Sequence, residues 1–317
     1  MGKIAIVFPG QGSQYVCMGK TFHDEFEVAR KTYEEANEAL GYDIARLSFV
    51  GPQEGLDRTE NTQPALLTAG IAAYRALSEK VKITPAYLSG HSLGEYTALV
   101  AAGVIEFKDA VRLVHLRGKY MQEGVPEGVG KMCAILGLDL AEVTTICDSA
   151  SIDAARVVPA NINTLEQIVI SGHAAAVDLA ANLARERGAK KVVFLTVSAP
   201  SHSPLMEKAA ERLDAELKKV RFGAFKIPVL TNVEAEPTTD SSRVRELLKL
   251  QLTSPVRWVD IIQRMKRDGV TRIIEVGPGK VLTGLVKRID KEITSVSLNE
   301  TGDMEKVLEA LKSQNSL

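Results

Sequence analysis

Ser92 lies in the run Leu88-Ser89-Gly90-His91-Ser92-Leu93-Gly94-Glu95, a G-x-S-x-G pattern after a short apolar stretch and before an apolar, helix-spaced one. A serine on a sharp strand-to-helix turn exposes its hydroxyl where the free N–H groups and dipole of the helix start can stabilise an oxyanion. Gly90 and Gly94 lack the side chains that would clash in such a turn. The chemistry indicated is nucleophilic attack on an acyl group, and it needs a base. Five histidines are available. His23 falls in an amphipathic helical segment and reads as a surface residue, while mid-helix His115 and strand-end His173 read as structural. His91 adjoins Ser92, but neighbouring side chains there point apart, which suits it to lining a pocket or bracing the elbow. His202, in the loop Ala199-Pro200-Ser201-His202-Ser203-Pro204, is favoured as general base. No Asp or Glu stands out to orient it.

Several other features have two readings. Arg117 sits among Leu113, Leu116 and Tyr120 at helical spacing, an unusual setting for a solvated cation. It is either a snorkelling arginine or a planar donor able to grip a carboxylate with two bonds. Gly10-Gln11-Gly12 is a turn after the first strand, and a dinucleotide fingerprint fails because Tyr15 occupies the third glycine position. Gly277-Pro278-Gly279-Lys280 lacks the spacer and the Ser/Thr of a P-loop and reads as a turn into a helix.

The elements that must hold these residues follow from periodicity. Helical spacing is expected over residues 21–40, 63–79, 93–102 and 109–123, with strands at 4–8 and 86–89. Strands alternating with helices imply a mostly parallel sheet. Between residues 125 and 198 the order becomes strand 131–137, helix 139–150, strand 156–161, strand 167–171, helix 174–187 and strand 190–197, a ferredoxin-like β-α-β-β-α-β. The chain is therefore expected to fold as an α/β hydrolase-like domain (1–124 and 199–317) carrying an inserted ferredoxin-like α+β subdomain (125–198). In the closing half, helices are expected near 204–220, 242–252 and 256–267, and strands at 229–232 and 272–276.

Composition narrows the class. The 317 residues carry 39 Lys+Arg against 40 Asp+Glu, which argues against a basic nucleic-acid surface. No apolar run is long enough to span a membrane, and the N-terminal run of five breaks at Pro9-Gly10, too short for a signal peptide. Cys17, Cys133 and Cys147 match no disulfide or metal framework, so a reduced cytoplasm is the expected location.

Taken in order, the motifs Phe8-Pro9-Gly10-Gln11-Gly12-Ser13-Gln14, Gly90-His91-Ser92-Leu93-Gly94-Glu95, Arg117 with Met121, and Asn161 with Gln167-Ile168-Val169-Ile170-Ser171-Gly172 resemble those of the malonyl-CoA:acyl carrier protein transacylases. The series continues through Pro200-Ser201-His202, Gln251 with Ser254-Pro255-Val256, and Glu275-Val276-Gly277-Pro278-Gly279-Lys280-Val281-Leu282. The resemblance covers residues 8 to about 290, and this acyltransferase family serves fatty-acid and polyketide synthesis. It implies ping-pong transfer of a malonyl group from malonyl-CoA to the phosphopantetheine thiol of acyl carrier protein. Ser92 would be the nucleophile and His202 the base, oriented by the backbone carbonyl of Gln251. The backbone N–H groups of Gln11 and Leu93 would form the oxyanion hole. Arg117 would select the malonyl carboxylate, with His91, Met121 and Asn161 lining the substrate site.

The resemblance implies no cofactor and no metal, and a monomer is expected. Acyl carrier protein is typically acidic, so Lys280, Lys287 and Arg288 are weak candidates for docking it. A freestanding fatty-acid enzyme is expected because the chain ends soon after the family region, with a polyketide pathway as the alternative. A serine thioesterase or esterase would share the elbow and base without needing Arg117, and a non-catalytic binding protein would need no nucleophile.

Overall fold

The computed structural model describes residues 2–196 and 199–312. Its strands in chain order are β1 (Lys3–Phe8), β2 (Tyr87–Gly90), β3 (Gly130–Leu136), β4 (Val157–Thr164) and β5 (Gln167–His173). They continue with β6 (Lys191–Phe194), β7 (Val229–Leu230), β8 (Pro237–Thr238), β9 (Val270–Val276) and β10 (Thr294–Leu298). The larger sheet runs β10-β9-β1-β2-β7-β8, parallel throughout except for the β7–β8 pair. The apolar run of β1 is buried on both faces, as a central parallel strand must be. Ile4, Ile6 and Phe8 face the core that contains the long helix Thr59–Lys80, while Ala5 and Val7 face Trp258, Ile262 and Leu285.

The second sheet has the order β4-β5-β3-β6, antiparallel, with helices Leu140–Ala150 and Ala174–Glu186 in the connections. That is the ferredoxin-like arrangement, and its core joins Cys133 and Ile170 to Val143 and Ala180. β4 also reaches the rest of the molecule: Ile162 N–H donates to Val256 O at 2.9 Å and Val256 N–H to Ala160 O at 2.9 Å.

Several boundaries differ from the periodicity. The expected helix 21–40 is two, Lys20–Glu25 and Glu27–Leu40, because Phe26 adopts extended angles (φ −123°, ψ 120°). No Gly or Pro marks that break, so the amphipathic period runs through it unaltered. The expected helix 63–79 begins earlier, at Thr59, with Pro64 within its buried length. Strand β7 stops at Leu230, two residues before the expected end, which frees Asn232 from the ladder. Strand β10, in which Ser295 and Ser297 alternate with Val296 and Leu298, and the helix Met304–Lys312 lie beyond the expected elements. The end of the strand expected at 190–197 falls at Val197, outside the described residues, as does Ser198. The 277–280 turn does lead into a helix, Val281–Ile289, whose first N–H groups are held by buried Glu275: Leu282 N donates to Oε1 at 3.0 Å and Thr283 N to Oε2 at 2.7 Å. No helix among the described residues is long and apolar enough to cross a membrane.

Candidate active site

Strand β2 ends at Gly90, and helix Leu93–Ala101 begins three residues later, so Ser92 stands at the elbow. Its backbone is held at φ 51°, ψ −103°, a region a side-chain-bearing residue occupies only under constraint. Two close approaches supply that constraint. A Cβ on Gly94 would stand 2.0 Å from Phe8 O, and one on Gly90 would stand 2.0 Å from Gly94 C. The turn can close only because neither residue has a side chain.

Asn232, just past β7, braces the same turn. Its Oδ1 accepts from Ser92 N–H at 2.7 Å, and its Nδ2 donates to Gly90 O at 2.7 Å. Ser92 N–H is thereby occupied. Leu93 is the first residue of the helix, where an N–H has no carbonyl within reach in its own helix.

His202 arrives from a separate loop, buried and at φ 59°. Its Nε2 is 2.8 Å from Ser92 Oγ, and its Nδ1 is 2.8 Å from Gln251 O and 3.1 Å from Ser254 O. Carbonyl oxygens only accept, so Nδ1 carries the proton and Nε2 presents a lone pair to the serine hydroxyl. Burial, aided by the positive charge of Arg117, pushes the imidazole down to about 3. The base is therefore neutral and ready at neutral pH. No carboxylate among the described residues is bonded to it.

Arg117 projects from helix Phe107–Gly124 and is 1% exposed. Nη1 donates to Gln63 Oε1 at 2.7 Å, while Nη2 donates to Gln251 Oε1 at 3.0 Å and to Ser92 Oγ at 3.1 Å. The guanidinium carbon lies 5.3 Å from the centre of the Tyr96 ring. Nε is buried with no hydrogen-bond partner among the described residues. A snorkelling arginine would reach water; this one is folded inward onto the serine.

These groups surround a cavity of about 110 Å³ between the two sheets. Gln11, His91, Ser92, Leu93, Arg117, Met121, Asn161 and His202 all line it, with Met132 of β3 and Leu195 beyond β6 on the far wall. At about 30 Å³ per water, it holds roughly three or four waters or a short acyl group. His91 Nε2 is 2.9 Å from Asn163 Oδ1 and its ring packs 5.7 Å from Trp258, so it braces the wall away from the serine hydroxyl. Gln251 stands behind His202.

The other histidines lie elsewhere. His23 is half-buried against Tyr33 and Phe49, more enclosed than a surface reading implies. His115 contacts Glu60 O, and His173 accepts from Arg156 N–H.

Gln63, Glu95, Asn163 and Asn232 stand behind the cavity-lining groups and are bonded to them or to their supports, and no sequence pattern marks them as site residues. Amides carry no spacing signature. The one available signal was Glu95, an acid three residues after Ser92 in an otherwise apolar helix.

The described geometry has counterparts in known proteins. A family model described as acyl transferase domain matches residues 5–312. The malonyl CoA-acyl carrier protein transacylase of Escherichia coli (strain K12) is 48% identical over 309 residues, covering 98% of this chain and 100% of that protein. The protein of the same name from Bacillus subtilis (strain 168) is 44% identical, with 99% of each chain covered. Among solved structures, an acyl carrier protein S-malonyltransferase from Vibrio cholerae superposes with a TM-score of 0.94 at 46% identity, over 96% of this chain and 99% of that one. A malonyl-transacylase in complex with its type II polyketide synthase acyl carrier protein gives 0.94 at 43% identity, over 97% and 99%.

Proposed function

As the chain belongs to the acyl transferase family, we propose that it transfers a malonyl group from malonyl-CoA to the phosphopantetheine thiol of acyl carrier protein, through an ester on Ser92. Ser92 Oγ attacks the thioester carbonyl while its proton passes to His202 Nε2, 2.8 Å away. The C–S bond breaks, and the CoA thiolate leaves with that proton. In the second half, the carrier thiol gives its proton to Nε2 and its sulfur attacks the ester. The C–O bond breaks, and Ser92 Oγ recovers the proton. The carbonyls of Gln251 and Ser254 keep Nδ1 protonated throughout. The backbone N–H groups of Gln11 and Leu93, both at the cavity, serve the developing oxyanion.

The observation that carries the malonyl reading is Arg117. It is a buried cation whose Nε has no partner among the described residues and whose Nη2 lies 3.1 Å from the very oxygen that receives the acyl group. A carboxylate on that acyl group finds donors in place. A simple esterase has no use for such a charge in its pocket.

We further read residues 125–198 as a unit inserted into a domain formed by 1–124 and 199–317, an assignment supported by the confinement of the second sheet to β3–β6. We place the reaction in the cytoplasm, where three free cysteines are unremarkable, in a monomer serving fatty-acid synthesis. A polyketide role for the same transfer is favoured by one observation, the likeness to a transacylase solved with a polyketide carrier protein.

The test is intact-mass analysis after incubation with malonyl-CoA. A malonyl adduct is expected on the wild type and absent from Ser92→Ala, and carrier protein should discharge it. Release of free malonate at equal rates with and without carrier would instead establish a hydrolase.

A further inference from the structure

Behind the cavity lies a carboxylate that the transfer steps do not use. Glu95, in the first turn of the elbow helix, is 1% exposed. Its Oε2 accepts from Gln251 Nε2 at 2.7 Å and from Asn232 N–H at 3.0 Å. An ionised carboxylate can only accept. It therefore dictates the orientation of the Gln251 amide, drawing Nε2 to itself and turning Oε1 toward Arg117 Nη2. Gln251 Nε2 also donates to Ser92 O at 3.1 Å, so the amide is anchored at the elbow too. His202 hangs instead on the backbone carbonyl of Gln251, which keeps its place whichever way the side chain faces.

We propose that Glu95 is a positioning residue for acyl selectivity: by fixing the Gln251 amide it holds the Arg117 guanidinium ready for the substrate carboxylate, and it takes no part in the Ser92–His202 proton transfer. This rests on the malonyl-transfer reading above.

The groups that face Glu95 are few. Arg117 comes from helix Phe107–Gly124 and Tyr96 from its own helix, while Gln251 and Asn232 are uncharged. Burial pushes the carboxyl up to about 7, against the opposing pull of Gln251, Asn232 and Arg117. The acceptor-only form thus exists above about pH 7. Below it, Glu95 gains an O–H that can donate, the Gln251 amide can turn over, and its acceptor is withdrawn from Arg117.

The test compares wild type, Glu95→Gln and Glu95→Asp in labelling of Ser92 by malonyl-CoA and acetyl-CoA. In wild type the malonyl-to-acetyl ratio of kcat/KM should fall about tenfold between about pH 8 and pH 6, the size of one hydrogen bond to a charged group. Glu95→Gln should show a low ratio at every pH, expressed mainly as a raised KM for malonyl-CoA. Inactivation by phenylmethylsulfonyl fluoride, which needs only the dyad, should stay within about threefold of wild type. Glu95→Asp should restore a pH-dependent ratio.

A flat wild-type ratio, or a Glu95→Gln variant that keeps the wild-type ratio, overturns the proposal. If Glu95→Gln does not fold, the wild-type profile alone decides. Failure of the underlying reading is distinct: the wild type would then form no malonyl ester on Ser92 at any pH.

Discussion

Arg117 is a buried charge whose hydrogen bonds among the described residues go to two glutamine amides and a hydroxyl. Burying a charge is expensive unless a counter-charge meets it, and Glu95 is separated from it by the Gln251 amide. A malonyl carboxylate supplies the missing direct partner; an acetyl group does not. Charge-assisted bonds worth about 1.5–3 kcal/mol translate to roughly tenfold to hundredfold discrimination. Arg117→Ala should therefore lose most malonyl transfer while acetyl transfer survives or improves, as measured by kcat/KM on the two CoA esters. Equal losses on both would remove the selector role. At this scale legibility tracked chemistry. Ser92 stands out by its glycine-flanked turn, His202 as the loop histidine left once the other four are assigned elsewhere, and Arg117 as a cation among apolar helical neighbours. Gln63 and Asn232 do not: an amide in a helix or past a strand looks the same whether it braces a nucleophile or faces water, and only three-dimensional proximity tells them apart.

At the scale of elements, the elbow is a contact between backbones. Strand β1 and helix Leu93–Ala101 approach so closely that Gly94 leaves no room for a methyl group beside Phe8 O. Gly94→Ala should destabilise the fold on the order of 3 kcal/mol, since backbone cannot move aside as a flexible side chain does. Gly302→Ala, where a Cβ meets nothing, is the control and should be near neutral in the same urea titration. Parity between the two variants would show that the elbow relaxes cheaply. The elbow helix and the strands of the second sheet were legible because period and punctuation agree there. The break at Phe26 was not, because burial on one face continues across it. The expected strand runs past β7 because Thr231, a β-branched residue suited to a strand, follows Leu230, while the pairing with β8 stops there.

Across the whole molecule, the site belongs to neither sheet alone. Lys280, Lys287 and Arg288 are exposed around helix Val281–Ile289, and Arg288 Nη1 donates to Gln167 Oε1 on β5 at 2.8 Å. These cations form a positive rim beside β5, a candidate seat for an acidic carrier protein. Reversing charge at Lys287 and Arg288 should raise the KM for carrier protein several-fold, in a salt-dependent manner, and leave the KM for malonyl-CoA unchanged. No change in either would dismiss the rim as a docking surface. Residue 161 also pairs as an isolated strand rung with Val256, where two backbone bonds tie β4 to the segment leading into helix Trp258–Arg267. That tie has a meaning for chimeras. A ferredoxin-like module borrowed from a relative with different acyl preference must bring its β4 in the same register. One residue of slip would turn Asn161 away from the cavity and put its neighbour there. Specificity could then change without any substitution among the residues that touch the substrate.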